Sequence, residues 1–206
     1  MFGTLAWYWY GVALAAGAIL GGLPTGRLVA VLFHHPMLAT GTANPGPLSW
    51  LKIGQPLAAA TTLVLEAGKV IAAMQLLWWL TFNPLLAQLA GLVAVISHGH
   101  PFYARFRPCR TSAALGGLYC GLGPLIGLFA AALWVLTFSI YRRQYLATFA
   151  MVAGTLPIAF ILGGNLAAAT ALGTACYALW QYRQQFLMSL TRKELPWPGQ
   201  LLPTRP

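Results

Sequence analysis

The segment SHGHPFYARFRPCRTSAALG, residues 97–116, joins two apolar runs and sets two histidines and three arginines between His98 and Arg110, in a chain with only 7% charged residues. A cationic connector between two runs of that kind is the pattern of a polytopic membrane protein, with basic loops on one side of the bilayer. The rest of the chain agrees. With 59% hydrophobic residues and two acids, Glu66 and Glu194, in 206 residues, it lacks the polar surface of a soluble domain. The predicted fold is an all-α integral membrane protein with a single polytopic domain over 1–190 and a cytoplasmic tail over 191–206.

Seven spans are predicted, over 5–26, 56–79, 83–99, 112–121 with its continuation, 123–139, 145–162 and 165–183. The first run has no basic region before it and reads as a retained helix, not a cleaved signal. If the N-terminus is outside, the inward loops hold Arg27 and Lys52, then Arg105, Arg107 and Arg110, then Arg142 and Arg143, and finally Arg183, Arg192, Lys193 and Arg205. Lys69 is the sole exception. The outward turns TFNP (81–84), CGLGP (120–124) and GGN (163–165) contain no Lys or Arg. This distribution places the C-terminus in the cytoplasm. Aromatic residues mark the interfaces at Trp7 to Tyr10, Trp78 and Trp79, and Trp180 and Tyr182.

The net charge of +10 has a plain reading, in which it orients the chain and meets anionic lipid headgroups. Cations at membrane depth argue against nucleic acid as a partner. Cys109, Cys120 and Cys176 have no metal spacing and form no disulfide framework. Cys109, beside two basic residues, reads either as a passive loop cysteine or as a thiol of lowered pKa. His98, His100 and Cys109 are too few, with so few carboxylates, for a metal site, and no cofactor is implied. The stretches GAILGG, LGGLYCGLG and LGGNLAAATALG read as seams where helix backbones approach closely. Glu66 and Lys69, in TTLVLEAGKVIAA, lie three apart on one helix face. They read either as a structural ion pair or as part of a site.

Five stretches in order resemble one family, the bacterial acyl-phosphate:glycerol-3-phosphate acyltransferases (the PlsY family), seven-helix enzymes of the inner membrane. GGLPTGRLVA (21–30) resembles its first-helix signature G-S-I-P-x-G. GTANPGPLSWLK (41–52) resembles G-S-G-N-x-G-A-T-N-x-x-R and keeps Asn44 and Gly46. Glu66 and Lys69 stand where the family has D-x-x-K-G. The opening segment resembles G-H-x-F-P-x-F-x-x-F-R-G-G-K-G-V-A-T, with His98, Pro101, Phe106 and Arg107 in register. QYRQQFLMSLTRKE (181–194) is similar to H-R-x-N-I-x-R-L-x-x-G-x-E, with Arg183 and Glu194 in place.

The resemblance implies substrates and roles. Asn44 and His98 would orient substrate, and Lys52, Lys69, Arg107 and Arg110 would hold the phosphates of acyl phosphate and glycerol 3-phosphate. Where the family binds glycerol 3-phosphate through a serine, an arginine, a lysine, a second serine, a histidine and an asparagine, this chain has Thr42, Lys52, Arg110, Tyr141, Tyr182 and Gln185. Hydroxyl, positive charge or amide survives at four of these positions; the two tyrosines add bulk. Where the family's G-G-K-G curls backbone N–H groups around an anion, this chain has Pro108-Cys109-Arg110-Thr111. Proline lacks the N–H and fixes φ, so that nest cannot form. Ser112 has no evident base, so no other catalytic constellation competes. Two readings follow: an acyltransferase of phospholipid synthesis, or a catalytically silent relative serving as a structural or assembly subunit of a larger membrane complex.

Overall fold

The computed structural model describes residues 7–35, 45–106 and 109–190, apart from the side chains of Ala104 and of 184–190. Thr42, Asn44, Arg107 and the 191–206 tail therefore lie outside the described residues, and Gln185 is described in its backbone alone. The chain forms α1 (Tyr8–Gly22), α2 (Thr25–Leu32), α3 (Pro47–Lys52), α4 (Pro56–Thr81), α5 (Pro84–Gly99), a 3₁₀ turn (Phe102–Ala104), α6 (Ser112–Leu122), α7 (Pro124–Tyr141) and α8 (Gln144–Leu190). The fold is all-α, and its long apolar helices are those of an integral membrane protein.

Proline sets the boundaries. It opens α3, α4, α5 and α7, where its missing N–H costs nothing because the first helical N–H groups have no partner anyway. Pro24 has the opposite effect on the predicted 5–26 span, which ends at Gly22 and resumes as α2 at Thr25. At the TFNP turn, Phe82 adopts a left-handed conformation and the Asn83 carboxamide oxygen accepts from the Leu85 and Leu86 N–H groups, at 2.8 and 3.4 Å, to cap α5.

Two predicted spans meet inside one element. Within α8 only Gly164 leaves helical geometry, at φ 70° and ψ −167°, a region open to glycine. A straight helix would separate Tyr145 from Tyr182 by about 55 Å at about 1.5 Å per residue. Their rings instead lie 5.4 Å apart, so α8 doubles back at Gly164 as a helical hairpin. This reversal is the predicted turn at 163–165. The short α6, 11 residues, is about 16 Å long at about 1.5 Å per residue, less than the roughly 30 Å apolar core of a bilayer. Gly123, extended, and Pro124 separate it from α7.

Small residues hold the bundle together, as the Gly- and Ala-rich stretches predict. Gly21 of α1 lies so close to the Ala94 backbone of α5 that an added Cβ would collide with it; Gly117 of α6 stands in the same relation to Ala67 of α4. Polar side chains, buried or half-buried, bond across helices: Ser97 to the Ala18 carbonyl at 2.8 Å, Thr170 to Gln88 at 2.6 Å, and Tyr119 with Thr174 at 3.1 Å. Each pairing removes a polar group from lipid. Gly117→Val, which drives a branched side chain into the α4 backbone beside Glu66, is expected to destabilise the fold by about 1–3 kcal/mol; thermal unfolding in detergent measures this against Gly116→Ala, whose position is open.

Candidate functional site

The break at Pro24, the helix α3, the middle of α4, the C-terminal end of α5 and residues 100–106 and 109–111 of the connector come together. Lys69, buried on α4, donates from Nζ to the Leu23 carbonyl at 2.8 Å. Pro24 frees that carbonyl from the helical pattern, so the lysine ties α4 to the α1–α2 break. This corrects one reading: Glu66 and Lys69 do not come within ion-pair distance of each other. Glu66 instead faces His98, with Oε2 3.8 Å from Nε2, beyond hydrogen-bond distance, and both side chains 1% exposed. The helical spacing placed the two residues on one face, but Lys69 is long enough to satisfy itself on a neighbouring backbone, leaving Glu66 to α5.

His98, on the last turn of α5, reaches the connector. Its Nε2 lies 3.0 Å from the Arg110 carbonyl oxygen, and because a carbonyl only accepts, that nitrogen carries the hydrogen. His98 therefore fixes the backbone of Arg110. The Arg110 guanidinium is half-buried, and its Nη1 has no hydrogen-bond partner among the described residues. The same holds for Thr25 Oγ1, His35 Nδ1, Trp50 Nε1 and both Glu66 oxygens. All these atoms lie in or beside these segments. Buried donors and acceptors concentrated in one place are what a site for a polar ligand requires.

Electrostatics sharpen the picture outside the spans. The Lys52 ammonium is held below the ordinary lysine range, first by partial desolvation and then by the Arg110 guanidinium. Two cations made to share a neighbourhood favour an anion between them. Cys109 is buried, and its thiol is pushed up to about 11 by burial and by the charge of Glu66. Such surroundings disfavour the thiolate, in line with the passive loop reading over that of a thiol of lowered pKa. Among the described residues no three of His, Cys, Asp and Glu come together as metal ligands. Arg27 lies with its guanidinium 5.9 Å from the centre of the Tyr103 ring.

The two tyrosines expected to crowd a phosphate pocket differ. Tyr141 is 58% exposed at the end of α7. Tyr182 is buried, and its hydroxyl lies 2.6 Å from both the backbone nitrogen and the Oγ1 of Thr111. Sequence reading missed Gln181, whose side chain bonds to Cys109 and Thr111 at 2.7 and 3.0 Å. Only its position next to Tyr182 in the QYRQQF stretch hints at it.

Comparison with known proteins relates the chain to one family. The sequence profile described as glycerol-3-phosphate acyltransferase matches residues 11–191. A glycerol-3-phosphate acyltransferase of Pseudomonas paraeruginosa is 33% identical over 146 residues, covering 70% of this chain and 76% of the relative. One from Coxiella burnetii is 32% identical over 155 residues, covering 75% and 80%. Among solved structures, the integral membrane glycerol 3-phosphate acyltransferase PlsY in its lysophosphatidic acid form superposes with a TM-score of 0.79 at 17% identity, covering 90% of this chain and 94% of that one. Its glycerol 3-phosphate form gives 0.77 at 16% identity with the same coverage. The structures share the fold, and the profile, matching most of the chain, shows the family: this protein belongs to the glycerol-3-phosphate acyltransferase family.

Proposed function

We propose that this protein transfers an acyl group from acyl phosphate to glycerol 3-phosphate, in a bacterial inner membrane, as a step of phospholipid synthesis. The observation that carries the reading is the half-buried Arg110 guanidinium, with an unpartnered Nη1 among the described residues, held beside Lys52 at the polar end of the bundle. The relatives that share the family carry the same activity in their names. None of the comparisons supports the alternative of a silent structural subunit.

Little is asked of the side chains in this reaction. The glycerol hydroxyl attacks the acyl carbonyl carbon, the new C–O bond forms as the bond to phosphate breaks, and the hydroxyl proton leaves with the phosphate. The protein's share is to hold two anions in line and to stabilise developing negative charge in a site with little water. Lys52 and Arg110 hold the phosphate of glycerol 3-phosphate, with Thr42 and Gln185 completing that set. Arg107 holds the acyl phosphate. Lys69 lends positive charge while bracing the α1–α2 break, and Glu66 offsets it from inside the bundle. His98 acts through the Arg110 carbonyl, and Asn44 orients the substrate. The acyl chain lies between helices, in contact with membrane lipid.

The N-terminus lies outside and the basic segments face the cytosol, where phosphorylated substrates are found. In a background with the three native cysteines changed to serine, Asn165→Cys is expected to react with an impermeant maleimide in intact spheroplasts and Arg105→Cys only after lysis. The reverse pattern would overturn this orientation.

Purified protein supplied with acyl phosphate and glycerol 3-phosphate is expected to form lysophosphatidate. Arg110→Ala is expected to lower kcat/KM by about 10²-fold through a raised KM for glycerol 3-phosphate, with its melting temperature retained. An active Arg110→Ala protein would remove the central residue of the reading.

Lys52 gives a pH signature. Because burial and Arg110 favour its neutral form, it loses its charge at lower pH than the roughly 10.4 of a solvated lysine. The KM for glycerol 3-phosphate is therefore expected to rise on the alkaline side before that value is reached. Lys52→Arg, charged throughout, is expected to abolish that rise.

A further inference from the structure

We propose that Gln181 and Tyr182 form a latch that positions Arg110, so that the position where the family's histidine meets phosphate is, in this chain, a strap on the phosphate-binding loop and not a ligand. Its relevance to Arg110 as a phosphate holder rests on the acyltransferase reading above; the latch itself is a statement about the loop.

The hydrogen bonds fit one consistent relay. The Thr111 backbone N–H donates to the Tyr182 hydroxyl oxygen at 2.6 Å. The Thr111 hydroxyl donates to Gln181 Oε1 at 3.0 Å. With that hydrogen used, the 2.6 Å contact between the Tyr182 and Thr111 hydroxyls is made by the tyrosine donating. Gln181 Nε2 then donates to the Cys109 carbonyl at 2.7 Å. Every donor is used once and no acceptor is contested. The clamp extends to both neighbours, since the Cys109 N–H donates to the Gly99 carbonyl at 2.7 Å and His98 Nε2 to the Arg110 carbonyl at 3.0 Å. Backbone groups of three consecutive residues are held from α5 and α8, and the Arg110 guanidinium projects from the segment they fix.

A second observation agrees. Thr111 precedes the first turn of α6, where a threonine hydroxyl ordinarily accepts from a helix N–H, yet it makes no such cap and is turned towards α8 instead. The Tyr182 ring is itself held against Tyr145 across the α8 hairpin, at 5.4 Å. A loop that has lost its glycines cannot curl its N–H groups round an anion. It can still present a cation at fixed geometry if its backbone is strapped from outside, which lowers the ordering cost of binding.

The test uses the full chain in detergent with Cys120 and Cys176 changed to serine, so that Cys109 is the remaining thiol. Tyr182→Phe, which keeps the ring, and Gln181→Ala are each expected to speed N-ethylmaleimide modification of Cys109 at least tenfold. In turnover, Tyr182→Phe is expected to raise the KM for glycerol 3-phosphate about tenfold with little change in kcat. Combined with Arg110→Ala it is expected to add nothing further, because both act on one contact. Tyr182→His, which restores the family's residue but is too short to reach Thr111, is expected to weaken binding as Tyr182→Phe does. Unchanged labelling in both single variants would overturn the latch, as would additive effects with Arg110→Ala or tighter substrate binding by Tyr182→His. If the wild-type protein shows no turnover, the acyltransferase reading fails, and the labelling rates alone support or overturn the latch.

Discussion

The hydrogen bond from the buried Lys69 ammonium to the Leu23 carbonyl is the contact on which the rest of the structure depends. Lipid offers nothing to a charge, so the ammonium must find a partner inside the protein. The pairing gives it one, on a carbonyl that also accepts from the Thr25 N–H at 2.9 Å, and fixes α4 against the α1–α2 break. Glu66, one turn earlier on α4, is thereby set against His98, and His98 in turn holds the Arg110 backbone. A chain of single contacts thus runs from the first helix to the basic connector. Close packing makes it possible, because Gly117 and Gly21 let α6 and α5 approach the neighbouring backbones without intervening side chains.

The proposed phosphate site has no glycine loop. In place of glycines, the 108–111 loop has a proline, a buried cysteine and two side chains that bond or carry charge. Its order comes from α8, whose hairpin at Gly164 returns Gln181 and Tyr182 to the same end of the bundle as His98. On the proposed reading, cations that lie near each other, Lys52 and Arg110, stand in place of backbone N–H groups. Guanidinium and ammonium groups tolerate looser geometry towards phosphate than a ring of N–H groups does, which is the physical basis on which altered loops and phosphate recognition are compatible.

Much of the frame was legible in the chain. Composition excluded a soluble fold, apolar runs located the helices, and Pro84, Pro124 and the GGN stretch marked turns the structure contains. The run predicted as one span over 5–26 is interrupted after Gly22, because Pro24 disfavours a helical Leu23 and has no N–H to continue the helix. The Glu66–Lys69 pairing failed because spacing along a helix reports which side chains share a face, not which partner each one reaches. Gln181 went unnoticed for a related reason, since an amide at a helix end has many possible partners and its neighbour in the chain drew the attention.

By itself the sequence determined the class, the clustering of positive charge in particular connectors and the family resemblance, because bilayer thickness and lipid polarity act on composition and run length directly. Only the tertiary structure decided that α8 folds back on itself, that Lys69 serves a carbonyl while Glu66 faces His98, and that Tyr182 straps Thr111. Those outcomes depend on distances between residues up to 71 positions apart, which no local pattern encodes.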